Sequence, residues 1–302
     1  MKQGKIAFVG TGIIGAGLAV NALVSGCQAA LYDVADLEVS RTRIKTILEN
    51  MVDAGAFDQT TADAAYQRAC FTNDLKEAVI DAVFIQECIP EKLELKQSVY
   101  REIQTVVGAD PVIASSTTAL MPSKLQDGAL YPERILVGHP YNPSYLLPLV
   151  EICGGEKTSQ ASIDEAKAMY ESWGKIAVVC LKEIFGYLCQ HVNWGVRDIA
   201  LKLAKDGVGS PEDIDKAIMY GPGMRFPITG QLLTLALGSE GGWKDLPRKY
   251  EGREPNEWEC WLSDELDQEL AHRPAEIGNN TADVVRFRDK MLVAMLKVQN
   301  LL

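Results

Sequence analysis

Two side chains twelve positions apart, His139 and Glu151, have the types that proton transfer needs: an imidazole to take a proton and a carboxylate to orient it. They lie in residues 138–152, GHPYNPSYLLPLVEI, where Pro140, Pro143 and Pro148 bar regular helix and stiffen an extended loop. His139 follows the apolar run Ile135-Leu136-Val137, which places it at the exit of a strand, with Glu151 on the next apolar segment. The spacing alone also admits a loop histidine beside an unrelated surface glutamate. The remainder of the chain has to supply the context.

A second constellation lies near the N-terminus. Lys5–Val9 is an apolar run of strand length leading into Gly10-Thr-Gly12-Ile13-Ile14-Gly15, after which Leu18, Ala19, Ala22 and Leu23 recur at helical spacing. A GxGxxG between a strand and a helix allows a tight turn and close approach of a pyrophosphate to the helix N-terminus. The next strand, Ala29–Tyr32, ends in Asp33, eighteen residues past Gly15. A carboxylate there accepts from ribose hydroxyls and repels a 2′-phosphate, so the expected cofactor is NAD and not NADP.

Composition bounds the setting. The 302 residues suit two domains, and 47% apolar with 24% charged residues is ordinary for a globular protein. A net charge of −11 argues against nucleic acid and anionic membrane surfaces. The seven cysteines are scattered without a CxxC, which reads as reduced cytoplasmic thiols, with no zinc site and no metal expected. Ile6–Gly26 is uncharged and resembles a membrane span or signal peptide, but its five glycines suit a strand, turn and helix better.

The elements that position these residues alternate. Leu37–Arg68 reads as two helices around Ala54-Gly55-Ala56, with Glu49, Asp53, Asp58 and Asp63 at an acidic tip that lacks Lys and Arg. A third strand, Ala82–Ile85, precedes Pro90, whose fixed φ suits a helix start, with Glu91 near the opening turn and Lys96 further along. A fourth, Pro111–Ala114, ends in Ser115-Ser-Thr-Thr118, and a fifth spans 134–137. Glu156–Trp173 reads as helix stopped by Gly174, and Lys175–Leu181 as the last strand. Alternation with polar clusters at strand C-termini indicates a doubly wound, mainly parallel sheet, in which those clusters face one crevice. From Glu183 the pattern becomes helical. Leu188, Val192, Val196, Ile199 and Leu203 form one apolar stripe, and Val284, Phe287, Met291, Met295, Val298 and Leu302 another, for a core or a dimer surface. Ser210-Pro-Glu-Asp213 reads as a capped helix start.

GTGIIG, FIQECIPEKLELK, ASSTTALMPSKL, GHPYNPSYLLPLVEI and GPGMRF, in this order and spacing, resemble the 3-hydroxyacyl-CoA dehydrogenase superfamily. The likeness extends to its branch containing L-gulonate 3-dehydrogenase (lambda-crystallin) and L-carnitine dehydrogenase. The resemblance implies an NAD-binding Rossmann domain over 1–182 and an all-α substrate and dimerisation domain over 183–302, in a homodimer. It makes His139 the catalytic base, Glu151 its partner, Asn142 an active-site amide and Thr118 a hydroxyl near the substrate. Gly10, Gly12, Ile13, Ile14, Gly15, Asp33, Glu91 and Lys96 then contact NAD. Structural readings stand beside these: Lys96 as a solvated helix lysine, Thr118 as a strand-end cap, Asn142 as a turn former.

One departure concerns the substrate. The family usually has an Asn-Arg or Asp-Arg pair where this chain has Gln190-His191, and the longer Gln190 puts the inherited substrate contact in question. His191 is expected to pack. Arg225, in GPGMRF, matches an arginine of the gulonate and carnitine enzymes, and a planar guanidinium suits a free carboxylate. The acidic tip would repel the phosphates of coenzyme A. The expected reaction is reversible oxidation of the 3-hydroxyl of a small free acid, carnitine- or gulonate-like. A short-chain (S)-3-hydroxyacyl-CoA substrate is the alternative, and a non-catalytic NAD-binding protein the reading of another class. For a quaternary ammonium, Tyr141, Tyr145, Trp194 and Trp243 are the candidate aromatics.

Overall fold

Apolar runs short enough for strands and bounded by glycine, proline or polar residues become an eight-stranded sheet in the computed structural model, which describes residues 4–239 and 241–302. The strands are β1 (Lys5–Val9), β2 (Gln28–Tyr32), β3 (Ala69–Thr72), β4 (Ala82–Glu87), β5 (Val112–Ser115), β6 (Ile135–Pro140), β7 (Leu149–Gly154) and β8 (Ile176–Cys180). Their order is β3-β2-β1-β4-β5-β6-β7-β8. Every neighbouring pair is parallel except β6 and β7.

Buried side chains alternate between the two faces, as the pleat requires. Phe8, Phe84, Leu136 and Ile152 pack on one side with Leu18, Ile44, Tyr170 and Trp173. Val9, Ile85, Val137 and Cys153 pack on the other with Tyr100, Ile103 and Tyr187. With both faces covered, the strands read as nearly continuous apolar runs.

Three details differ from the sequence reading. β3 was not expected: Ala-Cys-Phe-Thr is half exposed at the sheet edge, too short and mixed to show as a strand, and its pairing with β2 makes Ala82–Ile85 the fourth strand. The helix expected from Glu156 begins at Gln160, because the Ser159 side chain caps it by accepting from the Ser162 N–H. Pro90 does not open its helix, which runs Leu93–Val107 with Lys92 at the cap, so Glu91 lies in the turn before it.

The chain forms two units, one ending at Trp194 and one running Gly195–Leu302, the division falling inside the helix Tyr187–Lys205. The second unit is helical, around a small core of Leu233, Ala236, Leu262 and Leu266. Ser210 caps the helix Pro211–Tyr220 as its sequence suggests. The expected apolar stripes are largely open: Leu188, Val192, Ile199 and Val298 are exposed, and Val284 is buried. No helix among the described residues is long and apolar enough to cross a membrane.

The β6–β7 connection is held from below by one lysine. Lys175, buried just before β8, donates to the carbonyls of Ser144 and, at 3.0 Å, Leu147. Burial lowers its ammonium from 10.5 to about 8. The folded chain therefore binds that proton less tightly than the unfolded chain, and the cost present below pH 8 is relieved as the pH rises toward 10.5. Lys175→Met has no proton to lose there. Denaturant melts across this range are expected to shift the stability difference in favour of the wild type with rising pH, and a flat difference contradicts the account.

Candidate active site

The glycine motif forms a cradle. Gly10 has a φ of +99°, a conformation glycine adopts without strain, and any Cβ on it would collide with the Cys88 backbone. A Cβ on Gly15 would strike the Gly10 carbonyl. Gly12 caps the helix Ile13–Val24 with no side chain, and nothing lies within contact of its own absent Cβ. The first-turn N–H groups of that helix have no partner within it and are the donors an anionic pyrophosphate would use.

Asp33 follows β2 beside this cradle. Its Oδ2 accepts from the N–H and hydroxyl of Thr11, both at 2.8 Å, and its Oδ1 from the Ala35 N–H at 3.1 Å. Burial acts to raise this carboxyl, and the bonds from Thr11 and Ala35 outweigh it, holding the group below the usual range. An acceptor-only group at the β2 terminus fits the ribose end of a dinucleotide. Cradle, open helix terminus and aspartate together fit the cofactor expected from the sequence.

His139 and Glu151 stand opposite each other in the β6–β7 register. Paired residues on antiparallel strands project from the same face, so a register alone puts imidazole beside carboxylate. Nδ1–H donates to Oε2 at 3.0 Å, and both residues are buried, with 5% and 1% exposure. The other oxygen, Oε1, accepts from the Cys189 N–H at 2.7 Å, in the first turn of the helix Tyr187–Lys205. That helix end favours negative charge on the carboxylate. With Nδ1 committed, Nε2 is the nitrogen left to accept a proton.

A cleft of about 350 Å³ opens over the pair. Ile14 of the glycine motif lines it, with Ser116 and Thr118 after β5, Tyr141 and Asn142 after β6, and Gln190. His139, Asn142, Thr118, Gln190 and Ile14 are thereby brought together. The Thr118 N–H donates to Glu91 Oε1 at 3.1 Å. Lys96 is wholly buried, its ammonium bonded to Glu87 Oε1 at 2.6 Å and Ile89 O at 3.2 Å. Arg225 lies in the second unit, exposed on the helix Pro222–Ala236. His191 is exposed, its Nε2–H donating to Phe185 O at 3.0 Å and its ring meeting Trp194 edge-on.

Sequence reasoning passed over Tyr187 and gave Ser116 no role of its own. Ser116 was legible, since it stands with Thr118 in the polar run that follows β5 at the C-terminal end of the sheet. Tyr187 was not: its φ of +52°, uncommon for a bulky residue, follows Gly186 in the same region and turns its ring to 5.4 Å from the imidazole. Its hydroxyl donates to Leu120 O at 3.0 Å. Burial and the nearby Cys189 thiol push the Tyr141 phenol up, keeping it a neutral donor at the cleft.

Residues 5–184 match the family model described as 3-hydroxyacyl-CoA dehydrogenase, NAD binding domain. The chain is 36% identical over 272 residues to the L-carnitine dehydrogenase of Oceanobacillus iheyensis, covering 89% of this chain and 87% of that one. It is 35% identical over 301 residues to that of Bacillus cereus, covering 97% and 92%. Among solved structures it is similar to 5-formyl-3-hydroxy-2-methylpyridine 4-carboxylic acid 5-dehydrogenase, an NAD+ dependent dismutase, with a TM-score of 0.72, 25% identity and 99% of each chain covered.

Substitutions should separate the cradle from the base. Gly15→Ala is expected to weaken NAD binding, measured by calorimetry, by more than about tenfold, since the added methyl has backbone in its way. His139→Ala is expected to leave that affinity within about twofold while lowering turnover by about 10² to 10⁴. Equal NAD binding by the wild type and Gly15→Ala would count against the cradle.

Proposed function

The chain belongs to the 3-hydroxyacyl-CoA dehydrogenase family, and from that premise we propose that it oxidises the hydroxyl of a small free 3-hydroxy acid of the L-carnitine type. It is an NAD-dependent dehydrogenase. NAD, when bound, supplies the acceptor for the hydride leaving C3. Gly10, Gly12, Ile13, Ile14, Gly15 and Asp33 hold it, and Glu91 and Lys96 lie at the same end of the sheet.

The observation that carries the reading is the bond from His139 Nδ1 to Glu151, which leaves Nε2 facing the cleft as the base. Nε2 takes the hydroxyl proton as the C3–H bond breaks, the C3–O bond becomes a carbonyl, and Glu151 stabilises the imidazolium. Asn142, Thr118 and Gln190 orient the oxygen. Arg225 is proposed to hold the carboxylate through two parallel hydrogen bonds. Tyr141 at the cleft gives a quaternary ammonium an aromatic face. Glu49, Asp53, Asp58 and Asp63, on the helices Leu37–Asp53 and Gln59–Gln67 and the turn between them, oppose the phosphates of coenzyme A.

The exposed Leu188, Val192 and Ile199, on the helix Tyr187–Lys205 that opens the helical part of the chain, support a homodimer there, because an apolar stripe of that kind favours a partner. Seven free thiols support a cytoplasmic setting.

NADH absorbance over a panel of L-carnitine, D-carnitine, L-gulonate, 3-hydroxybutyrate and 3-hydroxybutyryl-CoA tests the assignment. L-Carnitine is expected to turn over fastest, with Arg225→Ala raising its KM by about 10- to 100-fold for the lost bidentate pair. Faster turnover of the CoA ester overturns the substrate class. NAD binding with no turnover on any member supports the non-catalytic reading.

A further inference from the structure

Backbone strain marks the start of the helix Tyr187–Lys205. Gly186 and Tyr187 stand in succession at φ of +81° and +52°. Glycine adopts the first freely, but a bulky side chain takes the second only where its surroundings hold it there. They do. Tyr187 is 1% exposed and packs in one buried cluster with Leu125, Val137 and Cys153. Its N–H donates to the Ile184 carbonyl at 3.2 Å and its hydroxyl to the Leu120 carbonyl at 3.0 Å. Burial pushes the phenol up, so the hydroxyl keeps the proton that this bond uses.

The strained turn bears on both members of the His139–Glu151 pair. The bond from Nδ1 to Glu151 Oε2, 3.0 Å long, fixes one point of the imidazole but not its plane. Rotation of a histidine ring about its Cβ–Cγ bond is soft, so a ring held at one corner can swing Nε2 away from the hydroxyl it must meet. The Tyr187 ring supplies a second contact, its centroid 5.4 Å from that of the imidazole and the two planes at 41°. Two residues further on, the Cys189 N–H holds Glu151 Oε1 at 2.7 Å. One left-handed turn therefore braces the imidazole through a side chain and the carboxylate through the backbone. Its own anchor, Leu120, lies two residues past the cleft-lining Thr118. Misplacing a reacting group by about an ångström costs on the order of 10²-fold in rate.

We propose that Tyr187 is a positioning residue whose ring fixes the plane of the His139 imidazole, and so the direction of Nε2, while its hydroxyl bond to Leu120 holds the ring in place. For its kinetic part this rests on the dehydrogenase reading above; the fixing of the imidazole does not.

The test compares Tyr187→Leu, Tyr187→Met and Tyr187→Phe, reading kcat and KM on the best substrate of the panel, NAD affinity by calorimetry, and the ¹⁵N shifts of the imidazole, assigned to His139 by their loss in His139→Ala. Tyr187→Leu and Tyr187→Met are expected to lower kcat by about 10- to 100-fold, with KM and NAD affinity within about threefold of wild type. Their His139 nitrogens are expected to average between tautomers where the wild type shows the Nδ1–H form. Tyr187→Phe keeps the ring and is expected to keep that form, with kcat within about fivefold of wild type. In the His139→Ala background, Tyr187→Leu is expected to cost less than about twofold more, since a group acting through the imidazole has nothing left to act on. Ringless variants that keep the Nδ1–H form and kcat within about threefold of wild type overturn the proposal. So does a loss that persists in full without His139, or equal damage from Tyr187→Phe and Tyr187→Leu. Methionine adapts to irregular space, so Tyr187→Met keeps the question decidable if Tyr187→Leu does not fold. A wild type inactive on the whole panel would tell against the dehydrogenase reading, while the nitrogen shifts still decide this one.

Discussion

Everything at the site depends on one reversal of strand direction. The eight strands of the first unit would make an unbroken parallel series were it not that β7 runs back along β6. Parallel neighbours need a crossover of a dozen residues or more, but antiparallel ones can be joined by a short loop. The reversal brings Glu151 directly across from His139 in the ladder, with only the 141–148 segment between the strands. Backbone hydrogen bonds therefore set the spacing of base and orienting carboxylate. Shifting the register by one residue would turn Glu151 to the opposite face, away from the imidazole.

The same short loop is docked onto the cofactor helix. The Ser144 hydroxyl donates to Ile14 O at 3.1 Å, and the Asn21 amide to Tyr145 O at 3.1 Å. Gly17 has no side chain where Ser144 approaches, and a Cβ there would collide with its hydroxyl. Lys175 holds the loop from the other side. Cofactor cradle and catalytic loop are consequently one assembly, and Ile14 lies in the wall of the cleft that holds His139. The helix Tyr187–Lys205 closes the arrangement, its first turn bringing the Tyr187 ring to the imidazole and the Cys189 N–H to Glu151.

How much of this the sequence discloses depends on whether local pattern or long-range contact decides each feature. Strand, glycine turn and helix in succession are local, and Gly10–Gly15 with Asp33 follow from spacing and φ preference. The convergence of polar strand ends follows from alternation, which is why Ser115–Thr118 and His139 could be placed in one crevice. β3 was illegible because its pairing with β2, not its own composition, makes it a strand. The Lys96 placement was illegible for a related reason. A lysine on an amphipathic helix reads as solvated, and only the buried Glu87, nine residues earlier at the end of β4, turns it inward. Tyr187 depends on a left-handed backbone that no residue type announces.

The central claim is that His139 and Glu151 act as one device, the carboxylate working through the imidazole. A double-mutant cycle in kcat/KM over His139→Ala, Glu151→Ala and the double variant reads that coupling. The account predicts that the double variant is no worse than His139→Ala alone, each near a loss of about 10² to 10⁴. Losses that multiply, the double variant falling by the product of the two single effects, would show the residues acting independently and contradict it.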